Sequence, residues 1–273
     1  MSIANRETAS RFRELHAPGR LLVLPNAWDA GSARLIEECG APAIATSSAA
    51  LAWAHGYPDG NALPPRLVVS AVAEIARVVR VPLTVDVEGG YADDPAAVGE
   101  VVAAVLDAGA VGINLEDGTG SPDALCAKIA AVRDVAARAG VALFVNARID
   151  VLLHGLAPAE QAVEATLARA ARYRDVGADG LFVPRLAAAD DIRTVVAAIA
   201  PLPLNVLAVP TLPPPAALRA LGVRRLSAGA AIAAAALARV RRLAIDFLRD
   251  GATTELFAER VDSAATNALF RHA

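Results

Sequence analysis

The chain has 273 residues, of which 55% are hydrophobic and 20% are charged, and its net charge is −3. This composition excludes a disordered chain, and the lack of a basic block argues against nucleic acid as a partner. No apolar run reaches the ~20 residues of a membrane helix, and the first twenty residues lack the apolar core of a secretory signal. We therefore expect a globular cytoplasmic protein that binds neither nucleic acid nor membranes.

Short apolar runs alternate with longer amphipathic ones along the chain. The short runs are almost continuously apolar, which is typical of parallel strands buried on both faces. Proline near the start and glycine near the end mark many of the longer runs as helices. The predicted strands are 21–25, 43–47, 83–88, 111–116, 143–148, 180–184, 204–208 and 225–228. The predicted helices are 6–16, 30–39, 65–79, 95–108, 122–139, 158–176, 189–200, 214–221, 230–249 and 253–270.

Eight strands that alternate with eight helices predict an α/β protein with a (β/α)₈ TIM-type barrel, formed by a single domain over residues 1–273. A doubly wound open sheet is the alternative. It loses support because neither G-x-G-x-x-G nor G-x-x-x-x-G-K-[ST] occurs. Two predicted helices do not belong to the eight strand–helix units: helix 6–16 before them and helix 253–270 after them. The trailing segment, residues 250–273, is interpreted as a helical extension for oligomerisation. Its apolar face comprises Leu256, Phe257, Val261, Ala264 and Ala268.

The chain contains a single lysine, Lys128, among its 26 basic residues. Lysine is the residue that forms Schiff bases with carbonyl substrates and pyridoxal phosphate. The spacing of Lys128 and Arg133 indicates a solvated helix face. We therefore expect neither Schiff-base nor pyridoxal chemistry.

Acidic residues collect where the predicted strands end, which is where a barrel carries its chemistry. Asp86 and Glu88 lie two positions apart at the end of the third strand, so an extended backbone points both side chains to one face. Glu116 ends the fourth strand. Three converging carboxylates repel one another unless a cation lies between them, and oxygen ligands select Mg²⁺ or Mn²⁺. The alternative is that each carboxylate pairs with Arg148 or caps a helix.

Other polar residues at strand ends could bind a carboxylate substrate. Arg148 ends the fifth strand and could hold a carboxylate through two parallel hydrogen bonds, a role compatible with a salt bridge to Glu116. Ser47 and Ser48 lie where backbone N–H groups suit an anion, or they form an ordinary polar turn. Trp28 either lines the pocket or packs against the core.

The remaining histidines and cysteines are interpreted as structural residues. His55 lies in a loop without an assigned role, and His16 and His272 are expected at the surface of terminal helices. Cys39 and Cys126 lie in helices and are expected to be buried small side chains.

Four segments carry these polar strand ends: LPNAWDAGSARLIEECGAPAIATSS, DVEGGY, GINLED and NARIDVLL. In their order and spacing they resemble the isocitrate lyase/phosphoenolpyruvate mutase superfamily, from about residue 21 to residue 229. The resemblance implies a (β/α)₈ barrel that uses Mg²⁺ to hold a 2-oxo or 2-hydroxy carboxylate and to stabilise an enolate-like intermediate. Members make or break C–C bonds, or P–C bonds in the phosphonate branch. The resemblance further implies that the C-terminal helix is exchanged within dimers that pair into tetramers.

The resemblance assigns roles to individual residues of this chain. It places the metal, directly or through water, at Asp86, Glu88 and Glu116, and it gives Asp59 the role of an outer carboxylate. It implies a carboxylate-binding turn at Ser47 and Ser48, an anion clamp at Arg148 and a pocket-facing asparagine at Asn205.

Two departures bear on the reaction. The lyase branches carry a K-[KR]-C-G-H loop after the fourth strand, whereas Glu116 and Asp117 are here followed by GTGSP and then at once by a helix. The D-x-D motif of the family is here Asp86-x-Glu88, and Ala92 replaces the glycine after Tyr91. Isocitrate or methylisocitrate cleavage therefore loses support. The proton donor is then Tyr91 or an ordered water.

These observations predict a Mg²⁺-dependent carbon–carbon lyase that acts on a small 2-oxo or 2-hydroxy carboxylate by bond cleavage or decarboxylation. The first alternative is a hydrolase or mutase of phosphonopyruvate-type substrates. The second is a non-catalytic barrel that binds carboxylates. In each case we expect a homodimer or homotetramer.

Overall fold

A computed structural model describes the backbone of residues 3–271 and the side chains of residues 6–271; His272 lies outside the described residues. The predicted strands are confirmed, with one subdivision. Pro25 interrupts the first strand, because proline has no N–H to donate to a neighbouring strand. The strands are β1 (Leu22–Leu24), β2 (Asn26–Ala27), β3 (Ile44–Thr46), β4 (Leu83–Asp86), β5 (Gly112–Glu116), β6 (Phe144–Arg148), β7 (Gly180–Val183), β8 (Leu204–Leu207) and β9 (Arg225–Ser227).

All strand pairs in the sheet are parallel, in the order β1-β9-β8-β7-β6-β5-β4-β3-β2. The two ends of this order are the two halves of the same interrupted strand. β1 pairs with β9 and β2 pairs with β3, so the sheet curls into a nearly closed barrel. The expected TIM-type fold is therefore confirmed, and parallel strands carry all their carboxyl ends to one mouth.

Helices cover the outside of the barrel, and the long predicted ones are confirmed except for the trailing helix 253–270. Several begin with proline at the first helical position, and α6 ends in a left-handed glycine, Gly140, as the sequence pattern indicated. The helices are α1 (Ile3–Glu14), α2 (Ala30–Glu38), α3 (Ser48–Ala54), α4 (Pro65–Val78), α5 (Pro95–Asp107), α6 (Pro122–Ala139), α7 (Val151–His154), α8 (Ala162–Asp175), α9 (Ala189–Ile199), α10 (Pro215–Ala220), α11 (Ala231–Asp250), α12 (Thr254–Ala258) and α13 (Ser263–Phe270). Over the described residues, no helix is both long and apolar enough to cross a membrane.

Helix α1 packs across the amino ends of the strands. Phe12 is fully buried and lies edge-on to Phe144 at the start of β6, and the His16 ring stacks on Phe144 with centroids 4.2 Å apart. Arg13 fixes the helix further through an ion pair of 2.8 Å with Asp179. The expectation that His16 lies at the surface is therefore wrong: α1 docks with this face inward, and His16 is 6% exposed.

Three further expectations need correction. The segment after β3 forms α3, and the trailing helix is two helices, α12 and α13, separated by residues 259–262. Cys39 is exposed, because it caps the solvent-facing end of α2 beside Gly40, whereas Cys126 is half-buried in α6. The trailing apolar face is largely uncovered in the chain, with Phe257 60% exposed.

Candidate active site

Three neighbouring strands end in charged side chains at the barrel mouth. Asp86 ends β4, Glu116 ends β5 and Arg148 ends β6, and the register pairs Glu116 directly with Arg148. Arg148 Nη1 lies 2.6 Å from Glu116 Oε2, and Arg148 Nε lies 2.7 Å from Oδ1 of the fully buried Asp150. The structure thus brings together the predicted anion clamp and a predicted metal ligand, joined by the ion pair that the sequence left open.

The two serines after β3 have different partners. Ser48 Oγ donates to Asp86 Oδ2 at 3.3 Å, so this hydroxyl belongs to the mouth. Ser47 Oγ accepts from Ala50 N at 3.4 Å and caps α3. Thr46 Oγ1 accepts the backbone N–H of Asp86 at 2.9 Å, which fixes the end of β4.

Glu88 reaches the site by a different route from the one the sequence suggested. β4 ends at Asp86, so Glu88 lies beyond the strand and the alternation of side chains along a strand does not determine where Glu88 points. Its backbone is left-handed, with φ of 50°, and its Oε2 accepts the N–H of Asn61 from the loop before α4. Glu88 Oε1 is buried without a hydrogen-bond partner among the described residues. The Tyr91 hydroxyl is likewise buried without a partner of good hydrogen-bond geometry there. Burial raises the pKa of Tyr91, and the Glu88 charge and an interaction between the Tyr91 and Glu88 side chains add to the shift.

The acidic side chains raise one another's pKa. Burial raises the pKa of Glu116 to about 9, with the charges of Asp86, Asp150 and Glu88 adding to the shift and Arg148 opposing it. Burial also raises the pKa of Asp86, and Arg148 opposes that shift too. Burial lowers the pKa of Arg148, but the charges of Glu116, Asp150 and Asp86 outweigh this effect, so its pKa is raised. Ionising the whole cluster is therefore costly unless a further positive charge is bound.

These residues fit a divalent cation that keeps much of its water. In the described part of the chain, no three His, Cys, Asp or Glu side chains are grouped so that they could hold a metal ion directly. Mg²⁺, however, is commonly held by one or two carboxylates together with waters and substrate. The buried, unpartnered Glu88 Oε1 is an oxygen of the type that such an ion or its water would stabilise. Direct ligation by all three predicted residues is thus not what the geometry supports, whereas ligation through water fits.

The other predicted site residues lie at different depths. Asp59 is exposed in the loop before α4, and its charge contributes to raising the pKa of Asp86 and Glu88. Trp28 is half-buried and lines an apolar cavity of ≈ 190 Å³ with Trp53 and α11. Asn205 is buried in the barrel interior, where its amide bonds to Asn146, Ser227 and two backbone carbonyls.

Several residues near the site were missed from the sequence. Arg225 at the start of β9 is 1% exposed inside the barrel, where Nη2 donates to Asn114 Oδ1 at 3.2 Å. Burial lowers its pKa to about 10, and the charge of Asp86 opposes this. Lys128, expected on a solvated face, is half-buried and donates to Gly89 O at 2.7 Å. An arginine at the start of a predicted buried strand was the available signal for Arg225. The position of Lys128 depends on long-range contacts that no local pattern displays.

A cavity of ≈ 460 Å³ adjoins the carboxylates on the side of the short β5–α6 loop. Its lining includes Glu116, Asn61, Lys128 and the loop residues 117–121. Asp117 itself is engaged by Arg169 at 2.7 Å and by the Tyr173 hydroxyl at 2.6 Å, which holds the loop against α8. The mouth therefore continues into a polar space large enough for a small molecule.

Comparisons with known proteins agree with this geometry. Residues 12–248 match the family model described as phosphoenolpyruvate phosphomutase. A crystal structure of a candidate phosphonomutase from Burkholderia cenocepacia is 43% identical, with a TM-score of 0.83, and the match covers 87% of this chain and 99% of that one. The 2-methylisocitrate lyase of Bacillus subtilis is 27% identical over 74% of this chain and 67% of its own length.

A phosphonopyruvate hydrolase in complex with oxalate and Mg²⁺ is 26% identical, with a TM-score of 0.83, over 96% of this chain and 94% of that one. The relatives thus include a lyase and a hydrolase. The family match spans most of the chain and includes every strand end described above. The chain belongs to the phosphoenolpyruvate phosphomutase family, within the isocitrate lyase/phosphoenolpyruvate mutase superfamily.

Proposed function

We propose that the protein is a Mg²⁺- or Mn²⁺-dependent carbon–carbon lyase that acts on a small 2-oxo or 2-hydroxy carboxylate. The reaction would be C–C cleavage or decarboxylation that leaves an enolate. The observation that carries the proposal is the meeting of Asp86, Glu116 and Arg148 at the carboxyl ends of three adjacent strands. The family enzyme solved with oxalate and Mg²⁺ supports both the metal and the class of ligand.

Each side chain has a role that follows from its contacts. A divalent metal, when bound, would stabilise the negative charge that develops on the substrate oxygen. Asp86 and Glu116 would hold it, with Glu88 and the exposed Asp59 acting through water. Arg148 would orient a substrate carboxylate, since a guanidinium can pair with more than one anion. Ser48, already bonded to Asp86, would donate to the same end of the substrate.

The proton donor is proposed to be Tyr91 or a water that it orders, because no thiol lies in the described site. Cys126 is half-buried in α6, and burial raises the pKa of its thiol, which disfavours the reactive thiolate. Cys39 lies at the far end of α2. The Cys39→Ala, Cys126→Ala double variant should therefore keep its turnover within a few-fold, whereas loss of a general acid costs ~100-fold or more. Rapid, substrate-protected alkylation of Cys126 would contradict this assignment.

A second candidate function is hydrolysis or rearrangement of a phosphonopyruvate-type substrate. It is favoured by the identity to the Burkholderia protein and by the hydrolase relative. The third possibility is a barrel that binds carboxylates without turnover. The test is incubation with Mg²⁺ and a panel of 2-oxo acids, 2-hydroxy acids and phosphonopyruvate, with pyruvate, CO₂ and phosphate as products. Turnover of phosphonopyruvate alone, either to pyruvate with phosphate or to phosphoenolpyruvate, would favour the second candidate, and no turnover with tight binding would favour the third.

The metal assignment is tested by calorimetry. Asp86→Ala and Glu116→Ala should each abolish the heat of Mn²⁺ binding and leave the circular dichroism spectrum unchanged. Both carboxylates end strands at the mouth and are half-buried, and Arg148 keeps its ion pair with Asp150 in either variant, so removal should not unfold the barrel. Wild-type affinity in both variants would overturn the assignment.

We further propose a homodimer or homotetramer in which the C-terminal helices are covered by, or exchanged with, a partner subunit. Helix α11 has 20 residues, of which only Ala233 is buried, and Leu248 and Val240 are 84% and 61% exposed. In the single chain, α13 touches α2 through a hydrogen bond of 3.1 Å from Arg34 Nε to Leu269 O. Truncation after Arg249, or Leu248→Glu, should lower the sedimentation coefficient. An unchanged oligomer in both would refute the proposal.

A further inference from the structure

The segment that follows β4 has an unusual backbone. Among the described residues, four that are not glycine have a clearly positive φ, and three of these are in mutual contact: Asn61 at 60°, Glu88 at 50° and Tyr91 at 57°. Such conformations cost of order 1–3 kcal/mol each and persist only where surrounding contacts enforce them. The strain is therefore concentrated beside the candidate metal site.

Asn61 supplies most of these contacts. Its Oδ1 accepts the N–H of Gly89 at 3.2 Å and that of Tyr91 at 3.3 Å, and its own N–H donates to Glu88 Oε2. From the opposite side, Lys128 Nζ donates to Gly89 O at 2.7 Å. The loop before α4, the loop after β4 and helix α6 are thus joined at one glycine.

This arrangement fixes the orientation of the Glu88 carboxylate. Because Oε2 is occupied by the Asn61 N–H, the buried Oε1 is the oxygen with acceptor capacity left for a cation or its water, and the Tyr91 side chain interacts with the same carboxylate. Asn61 also lies two residues after Asp59, so the same contacts tie the loop that carries Asp59 to Glu88.

We propose that Asn61 is a positioning residue for the metal site: it holds the loop after β4 so that Glu88 Oε1 is presented at the mouth. The inference rests on the proposed metal-dependent function. Asparagine suits the position because it tolerates a left-handed backbone and offers one uncharged acceptor to two N–H groups. Glycine would tolerate the backbone without the acceptor.

Asn61→Gly is the main test variant, since it keeps the left-handed backbone and the N–H to Glu88 while removing Oδ1. Removal of residues that orient metal ligands typically costs 10–100-fold in affinity, so we expect at least a 10-fold weaker Kd for Mn²⁺ in calorimetry without substrate. Amide hydrogen exchange of residues 88–91 should become faster.

Arg185→Gly is the matched control, because Arg185 is the fourth left-handed residue, is exposed and lies outside these contacts. It should leave both the Mn²⁺ affinity and the exchange of residues 88–91 unchanged. Lys128→Met removes the second tether without altering a left-handed residue. It should weaken Mn²⁺ binding by about 10-fold and speed the exchange of residues 88–91, so the proposal can still be tested if Asn61→Gly does not fold.

The outcomes separate this inference from the function on which it rests. Wild-type protein that binds no Mn²⁺ would overturn both. Wild-type protein that binds Mn²⁺, together with unchanged affinity in Asn61→Gly, would overturn only the role of Asn61. A lower melting temperature with unchanged Mn²⁺ affinity would show a purely structural contact and would overturn it equally.

Discussion

Burial of His16 under α1 should make the stability of the protein depend on pH. Burial, reinforced by the charge of Arg225, lowers the pKa of His16 from 6.5 to about 3. The ring stacks on Phe144, and Nδ1 lies 2.9 Å from Phe12 O, so the neutral ring donates there. Nε2 is buried without a partner in the described structure, so a second proton there would be unsolvated.

The sign follows from linkage. The folded pKa lies below the unfolded one, so the unfolded chain binds more protons between them, and stability is lost as the pH falls from about 6.5 towards 3. Each unit corresponds to about 1.36 kcal/mol, so between pH 7.5 and pH 4.5 the contribution of His16 to stability falls by about 2.7 kcal/mol. Above about pH 7.5 His16 is neutral in both states and its contribution no longer changes.

The assay is urea denaturation of wild-type protein and His16→Phe at pH 7.5, 6.5, 5.5 and 4.5. Phenylalanine keeps the ring packing and cannot titrate. It should cost about 1 kcal/mol at pH 7.5 through the lost hydrogen bond, and it should become the more stable of the two by pH 4.5. His55→Gln, which removes an exposed histidine, should follow the wild-type profile. Parallel profiles for wild type and His16→Phe would show that His16 titrates freely in the folded state and would refute the reasoning.

Three further substitutions test local features of the fold by denaturation. Gly90→Ala should destabilise by about 2–4 kcal/mol, because φ is +89° and a Cβ would lie 2.6 Å from Val98 Cγ1. Gly155→Ala, at φ +62° with open space around it, should cost only about 1 kcal/mol, and an equal loss in both would refute the steric argument. Tyr173→Phe should lower the free energy of unfolding by about 1.5–3 kcal/mol, because it removes the 2.6 Å hydrogen bond to Asp117. An unchanged stability would show that Arg169 alone is enough to hold Asp117.

Much of the barrel could be predicted from the sequence, because its signals are local. Continuous apolar runs specify buried parallel strands, and proline and glycine specify where helices begin and end. The short helices α3 and α7 were missed, since four to seven residues are too few to display a helical period. The two C-terminal helices were read as one for the opposite reason: the apolar spacing continues across the break at 259–262.

The residues of the candidate site likewise fall into those that local sequence signals predict and those that they do not. From the sequence alone it follows that Asp86, Glu116 and Arg148 end adjacent strands, because parallel strands of one barrel carry their carboxyl ends to one mouth. Contacts between distant segments reveal that Arg148 pairs with Glu116 and Asp150, that Arg225 lies inside the barrel and that His16 is buried. Glu88 shows the reason most clearly. Its position follows from a left-handed backbone held by Asn61, 27 residues earlier, and from Lys128, 39 residues after Gly89, and no local pattern encodes such contacts.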